Sequence, residues 1–163
     1  MLLKALTINW PFSEFIISGL KEVENRPTKY KYKGLLLVHS SMIPDEAWHE
    51  KCSIESFQMG LKHINKSVIA SKGFGSQVIG SLVGAVIITD VCKSYDSPWS
   101  ISGQYQLVLD SPIRFKKPVP CPGKQSFWMP KSSTIDNICV DDMSLIKNLY
   151  NYSKKELGIE YYL

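Results

Sequence analysis

The chain has 163 residues, of which 44% are hydrophobic and 21% charged, and its formal net charge is +4. A chain of that length forms one ordinary domain and can bury a core without disulfides or a structural metal. No apolar run approaches the ~20 residues that a membrane-spanning helix needs, and the mild positive charge permits a polyanionic partner without requiring one.

The amino terminus and the cysteines bear on location and cofactors. The opening Met1-Leu2-Leu3 is too short for a signal peptide, because polar and charged residues follow at once. The four cysteines are widely separated and lack the close pairing of zinc or redox sites, so we expect reduced thiols and no metal site. We therefore expect a cytoplasmic protein with no bound cofactor and no membrane partner.

The first elements are a strand, a short helix and a turn. Residues 4–10 alternate weakly between apolar and polar side chains, which favours a strand. Pro11 suits the start of a short helix, and Gly19 suits the left-handed position that closes it. Because Pro27 disfavours helix at the residue before it, residues 21–26 should be extended.

Two further strands are predicted next along the chain. Residues 29–33 alternate lysine and tyrosine, so a strand here would place the lysines on one face and the tyrosines on the other. Residues 35–38 form a continuous apolar run, which is typical of a strand buried on both faces. This second strand would present His39 and Ser40 at its end.

The rest of the chain predicts an insertion, more strands and a terminal helix. Residues 42–76 carry apolar side chains at helical spacing and end in a glycine-rich loop at 71–76, which indicates a helical insertion. Strands are predicted over residues 78–90, 104–109 and 123–128, with a polar loop over 93–103 and a proline-rich extended segment over 115–122. The tail has acidic residues before an amphipathic run and lysines after it, which favours a helix.

One charged stretch carries a family resemblance. The spacing G-x-K-x-x-E-x-R, here Gly19, Lys21, Glu24 and Arg26, follows residues 5–11 and precedes a buried strand that ends in His-Ser-Ser. In these features, which span roughly residues 4 to 130, the chain resembles the ASCH domain, named for homology to activating signal cointegrator 1. The resemblance implies a PUA-like β-barrel associated with RNA, in a family that includes coactivator modules, ribonucleases and acetylcytidine amidohydrolases.

The resemblance and the predicted elements together give an expected architecture. We expect an α+β fold, namely a small, mixed, PUA-like β-barrel with flanking helices, a helical insertion over about 42–76 and a C-terminal helix. Residues 1–130 would form the barrel domain, and residues 131–163 an extension whose amphipathic helix packs on the same domain.

The charged stretch is the leading candidate for a site. Lys21 and Arg26 could hold an anionic ligand while the carboxylate of Glu24 accepts a proton or a hydrogen bond from a base edge. A solvated charge cluster or a structural ion pair explains the same spacing. Given the resemblance, we interpret Lys21, Glu24 and Arg26 as an RNA- or nucleotide-binding site.

An enzyme is the main alternative, with Lys21 and Glu24 as its catalytic residues. Two features argue against an amidohydrolase. The amidohydrolases of the family have threonine as nucleophile where this chain has Glu24. In addition, a nearby carboxylate stabilises the charged form of Lys21, whereas a lysine base must be neutral. A ribonuclease would use Glu24 or His39 as acid or base, and a divalent metal enters only under this alternative.

Aromatic rings and lysines complete the predicted ligand surface. Trp10, Trp99 and Tyr105 could stack on a splayed base, with Trp99 facing solvent because it lies in a polar loop, and His39 and Ser40 would border the cleft. Lysines at 29, 31 and 33 and the basic residues at 114, 116 and 117 could follow a phosphate backbone, although lysines on an edge strand also discourage aggregation. In a third alternative, a protein partner binds the apolar insertion around residues 48–64.

Overall fold

One six-stranded sheet underlies the fold in the computed structural model, which describes residues 3–71 and 78–159. Its strands are β1 (Lys4–Ile8), β2 (Val23–Arg26), β3 (Gly34–Ser40), β4 (Ser81–Cys92), β5 (Tyr105–Pro120) and β6 (Phe127–Trp128). Their order across the sheet is β2-β5-β4-β3-β1-β6, with β1 and β3 parallel and the other neighbouring pairs antiparallel.

The sheet curls into a half-barrel. A flat sheet would place β2 and β1 four strand spacings apart, each ~4.8 Å. Instead, Nη2 of Arg26 on β2 lies 3.5 Å from the carbonyl oxygen of Thr7 on β1. The curl therefore brings one edge of the sheet against the far side and creates a hollow between them.

Four α-helices and one 3-10 helix flank the sheet in the described part of the chain. They are α1 (Phe12–Ile17), a 3-10 helix (Trp48–Lys51), α2 (Ile54–Ser71), α3 (Ser132–Ile135) and α4 (Val140–Lys155). The predicted short first helix, helical insertion and terminal helix are present, whereas most of the loop predicted at 71–76 lies outside the described residues. None of the helices within residues 3–71 and 78–159 combines the length and apolarity needed to cross a bilayer.

The core lies on both faces of the sheet. On one face, Leu37 of β3 and Ile87 of β4 pack against Ile146 and Leu149 of α4. On the other face, Val38 of β3 belongs to a cluster that includes residues of α1. Every residue of β3 is buried, as the continuous apolar run predicted, because this central strand is covered on both sides.

The strand predicted over residues 104–109 does not end before Ser111-Pro112. β5 continues from Tyr105 to Pro120 through this pair. Ala85 pairs with Ile113 and Ile87 with Asp110, so the pair forms a bulge, in which Ser111 has a φ of 50°. The extra residue bends the strand instead of terminating it, which is how long strands follow the curve of a barrel.

Residues 29–33 do not form the predicted strand. They connect β2 to β3 without ladder hydrogen bonds, yet their lysines are exposed and their tyrosines half-buried. The rings of Tyr30 and Tyr32 pack on Phe127 of β6, with centroids 4.5 and 5.6 Å from it. The alternation of side chains was therefore predicted correctly, and the sheet pairing was not.

Candidate functional site

The predicted charged stretch begins at the turn after α1. Gly19 has a φ of 79°, and the backbone N–H groups of Leu20 and Lys21 both donate to the carbonyl oxygen of Phe15, at 2.9 and 3.0 Å. A glycine adopts this left-handed conformation without strain. The turn directs Lys21 inward and starts β2, which carries Glu24 and Arg26 along β5.

The three charged side chains converge. Nζ of Lys21 donates to Oε2 of Glu24 at 2.9 Å, and Nη2 of Arg26 lies 3.2 Å from Oε1 of the same carboxylate. Exposed fractions of 3% for Lys21, 12% for Glu24 and 24% for Arg26 place the cluster largely inside the protein. Two cations share one anion, so the cluster carries a net charge of +1.

The environment keeps Glu24 ionised. Burial of the carboxyl group opposes its ionisation, but the charges of Lys21 and Arg26 and the hydrogen bond from Lys21 outweigh that effect and lower its pKa from the ordinary value of 4.5. The carboxylate is therefore an acceptor at neutral pH and not a proton donor.

The two cations have hydrogen-bonding capacity left over. Lys21 uses two of its three N–H groups, one on Glu24 and one on the carbonyl oxygen of Val23. Nε of Arg26 is buried and has no hydrogen-bond partner among the described residues. Because a buried donor without an acceptor costs free energy, these groups favour a ligand that supplies acceptor oxygens or nitrogens.

The cluster lines a cavity of about 290 Å³. That volume is near the lower end of the ~300–1,000 Å³ typical of small-molecule sites. The end of β1, the beginning of α1, residues 45–56 and the loop before β5 complete its walls. The other lining residues are Thr7, Ile8, Asn9, Phe12, Asn25, Asp45, Lys51, Ser53, Ser56, Pro98, Trp99, Ser100, Ile101 and Gln104.

Asn25, between Glu24 and Arg26, holds one wall of the cavity. Its Nδ2 donates to the carbonyl oxygen of Trp99 at 2.8 Å, and its Oδ1 accepts from the backbone N–H of Ile101 at 2.9 Å. The buried Gln106 supports the same loop by donating to the carbonyl oxygens of Gln104 and Ile101. The loop is therefore fixed to β2 at the cavity.

Trp99 is not the solvent-facing ring that its polar neighbours predicted. Its exposed fraction is 4%, its ring centroid lies 5.3 Å from that of Phe15, and its Nε1 donates to the carbonyl oxygen of Leu20 at 3.0 Å. It still lines the cavity, together with the ring of Phe12.

The opposite wall comes from the insertion. Lys51 forms an ion pair with Asp45, and both side chains line the cavity. Ser53 caps α2: its Oγ accepts from the backbone N–H of Ser56 at 3.1 Å and donates to the carbonyl oxygen of Pro98 at 3.0 Å. The serine hydroxyls at this wall are therefore engaged in holding the backbone.

Four of the predicted ligand-surface residues lie outside the cavity lining. Trp10 lines a separate hollow, beside Glu14 and Arg114. Ser40 is buried and shares a 2.9 Å hydrogen bond with Ser13 of α1. Tyr105 is the cross-strand partner of Arg26 and lies beside Lys93, whose Nζ is 4.7 Å from the centre of its ring.

His39 is the fourth, and it is buried on the face of the sheet that packs against α4. Its Nε2 donates to the carbonyl oxygen of Cys121 at 2.9 Å, so Nδ1 carries the lone pair and has no partner among the described residues. Burial lowers its pKa from 6.5, and the hydrogen bond to Cys121 offsets this only in part. A neutral, enclosed imidazole is thus separated from the charged cluster.

Several cavity residues were not predicted from the sequence, among them Phe12, Asn25, Lys51 and Ser53. No local pattern indicated Asn25, since on an extended segment it faces away from Glu24 and Arg26, and it reaches the cavity wall through its hydrogen bonds to Trp99 and Ile101. The others enter the cavity only through long-range packing. Within residues 3–71 and 78–159, no group of three or more His, Cys, Asp or Glu side chains could hold a metal ion.

Comparisons with known proteins bear on the fold. No family model matches the chain, and no curated protein matches it. A crystal structure of a mutant ZmASCH protein from Zymomonas mobilis is similar to it, with a TM-score of 0.50 and 10% sequence identity, over 83% of this chain and 95% of that one. Similarity at this identity concerns the fold alone. The chain therefore shares the α+β fold of that ZmASCH protein, a curled mixed sheet with flanking helices, as expected from the sequence.

Proposed function

We propose that the cavity binds a nucleotide, either free or as one residue of a single-stranded RNA. The observation that carries the proposal is the convergence of Lys21, Glu24 and Arg26 on one cavity. The ASCH-type fold agrees with this choice of ligand, since the sequence resembles a family associated with RNA.

The donors and acceptors of the cluster suit a nucleotide. The spare N–H groups of Lys21 and Arg26 can meet carbonyl oxygens of a base or oxygens of a phosphate. The carboxylate of Glu24 has about four lone-pair positions, of which the two cations occupy two, so it can also accept from an exocyclic amino group. The net charge of +1 favours an anionic ligand over a neutral one.

The walls suit a base. Phe12 and Trp99 supply aromatic surface on which a base can pack, and such contacts contribute about 1–3 kcal/mol per base. The cavity volume of about 290 Å³ fits a single nucleotide and excludes a duplex. Binding would therefore require an unpaired nucleotide.

Binding is favoured over hydrolysis. Nζ of Lys21 donates to the carboxylate of Glu24 and to the carbonyl oxygen of Val23, so in this geometry it is a donor and not the acceptor that a base must be. The serine hydroxyls at the cavity wall hold backbone groups, and His39 lies elsewhere. Among the residues that line the cavity, no hydroxyl is therefore positioned beside a neutral base, which a nucleophilic mechanism requires.

The proposal is tested by titrating the protein with the four ribonucleoside monophosphates and with fluorescently labelled single-stranded RNA at low salt. Arg26→Ala should weaken binding about tenfold or more, because it removes charge-assisted hydrogen bonds. Arg114→Ala is the matched control: it changes the chain's other arginine, which lies outside the cavity and is paired with Glu14. Equal affinities for the wild type and Arg26→Ala would overturn the proposal.

The same samples test the enzymatic alternatives. Incubation of RNA with the protein, with and without magnesium, should leave the RNA intact, and acetylcytidine should release no acetate. RNA cleavage or acetate release that disappears in Glu24→Gln and persists in Glu22→Gln would replace binding by catalysis as the function of the cavity.

A further inference from the structure

We propose that a basic groove beside the cavity binds the phosphodiester backbone of a single-stranded RNA, a proposal that rests on the proposed function of the cavity. The groove has a volume of about 600 Å³, and its lining residues are Lys4, Lys31, Tyr32, Lys33, Thr89, Leu157, Gly158 and Ile159. Three of these side chains are cations and none is an anion, which is the electrostatic character of a surface that follows phosphates.

The lysines of the groove project from an anchored backbone. Tyr32 donates through its hydroxyl to the carbonyl oxygen of Leu35 at 2.5 Å, and the hydroxyl of Tyr30 lies 3.1 Å from that of Ser126. Both rings also pack on Phe127. The tyrosines fix the backbone of this segment, and Lys31 is exposed to solvent. Little backbone entropy would therefore be lost when a ligand binds to Lys31.

The usual structural explanation for such lysines does not apply here. Lysines on the exposed edge of a sheet discourage pairing with another strand. The segment 29–33 forms no strand, and the lysines at 29 and 31 are exposed. These lysines therefore do not belong to an edge strand, and their exposed side chains are accessible to a ligand.

The charges of the groove are less neutralised than those of the second basic stretch. In that stretch Arg114 forms two hydrogen bonds with Glu14, and Lys116 pairs with Asp141 at 2.8 Å. In the groove only Lys33 has an acidic partner among the described residues, Asp90 at 2.6 Å. The groove is therefore the better site for phosphates.

The groove is within reach of the cavity. Lys4 lines the groove and Ile8 lines the cavity, but Leu6 between them on β1 is buried, so the accessible route between the two sites follows the exposed residues 27–29. At ~3.3 Å per residue, four residues along a strand correspond to roughly 13 Å. Lys29, which follows Arg26 by three residues, lies between the two in the chain. A strand of a few nucleotides could therefore occupy both sites.

The test compares RNA length in two matched double variants. Lys29→Ala with Lys31→Ala removes one charge that lines the groove and one that lies between the groove and the cavity in the chain, and Lys62→Ala with Lys147→Ala removes two exposed charges from α2 and α4. Affinities for ribonucleoside monophosphates and for a single-stranded RNA octamer are measured by fluorescence anisotropy between 50 and 200 mM salt. Over this range the logarithm of the affinity should fall linearly with the logarithm of the salt concentration, with a slope that reports the number of phosphate contacts.

The groove variant should bind the octamer about five- to tenfold more weakly at low salt and the monophosphates as well as the wild type does. Its salt slope for the octamer should be smaller by about 1.4, at ~0.7 per single-strand phosphate contact. The control variant should match the wild type. Unchanged octamer affinity and slope in the groove variant would overturn this inference.

The two proposals can fail separately. If Arg26→Ala abolishes binding of monophosphates while the groove variant binds the octamer normally, the cavity proposal stands and the groove proposal fails. If the groove variant weakens octamer binding while Arg26→Ala has no effect on any ligand, the groove binds RNA and the cavity does not. Absence of binding to every probe at low salt overturns both.

Discussion

The ammonium of Lys21 donates a 2.9 Å hydrogen bond to the carboxylate of Glu24, and the two side chains are 3% and 12% exposed. An ion pair this far from water has two roles. It holds the charged side chains of the cavity in one geometry, and it makes the fold depend most on Glu24, because without this carboxylate Lys21 would be buried without a counter-ion, whereas Glu24 without Lys21 would still be paired with Arg26. Function and stability are therefore linked at this pair.

The first prediction concerns removal of the carboxylate. Glu24→Gln should lower the free energy of unfolding by about 3 kcal/mol, since it leaves the ammonium of Lys21 buried beside a neutral group. Urea denaturation at pH 7 measures the loss. Glu22→Gln, two residues earlier and outside the cavity lining, should change the free energy by less than about 0.5 kcal/mol. A double variant with Lys21→Met and Glu24→Gln should be more stable than Glu24→Gln alone; an equally low stability would show that the pair is not the cause.

The same pair predicts an acid transition. Because the pKa of Glu24 is lowered below 4.5 in the folded protein, its contribution to stability is complete above 4.5 and disappears as the pH falls through the folded value. The free energy of unfolding of the wild type should therefore decline in that range. In Glu24→Gln this part of the decline should be absent, and a parallel decline in both proteins would contradict the assignment.

The sequence predicted local features better than it predicted the site. The apolar run at 35–38 identified a buried strand, because only a strand covered on both faces is uniformly apolar. The alternation of Tyr30 and Tyr32 was interpreted as sheet pairing, but a period of two reports which side chains are buried and not where the backbone hydrogen bonds go. Trp99 was predicted to be exposed from its polar neighbours, whereas its burial comes from Phe15, far away in the chain.

Prediction of the cavity from the sequence met the same limit, since local patterns do not report long-range packing. Lys21, Glu24 and Arg26 are close in sequence, and the turn at Gly19 with the extended segment after it sufficed to suggest a cluster. The opposite walls come from residues 45–56 and 97–104, which the curl of the sheet brings there. No local pattern encodes that approach, so Lys51 and Ser53 were not predicted.

A second region ties the terminal helix to the sheet. The buried carboxylate of Asp142 in α4 accepts from the backbone N–H groups of Lys116 and Lys117 at 3.0 and 3.4 Å, and from Sγ of Cys139 at 3.0 Å. Asp142→Asn would direct an amide group toward these donors, so we expect a loss of about 2 kcal/mol in the free energy of unfolding. Asp141→Asn, at a 66% exposed side chain, is the matched control and should be nearly neutral. Faster hydrogen exchange of α4 amides in Asp142→Asn alone would confirm the attachment, and equal exchange would refute it.

A fourth prediction concerns the wall that Asn25 holds. Asn25→Asp keeps the acceptor for Ile101 but loses the donor to Trp99, and Asn25→Ala loses both. We expect hydrogen exchange of residues 97–104 to be slowest in the wild type, faster in Asn25→Asp and fastest in Asn25→Ala. Nucleotide affinity should fall in the same order, because ordering a mobile wall costs entropy on binding. Affinity that falls while exchange stays constant would assign Asn25 to direct ligand contact instead.

The last prediction separates His39 from the cavity. Because burial lowers its pKa below 6.5, the unfolded chain binds a proton more readily than the folded one, so the contribution of His39 to stability is complete above 6.5 and is lost as the pH falls toward the folded value. His39→Gln should remove this part of the pH dependence below 6.5, whereas His49→Gln, at a 54% exposed side chain, should preserve it. Nucleotide affinity at pH 7.5 should be the same in both variants, since His39 does not line the cavity. A loss of affinity in His39→Gln without a loss of stability would place the imidazole in the binding site and contradict the separation.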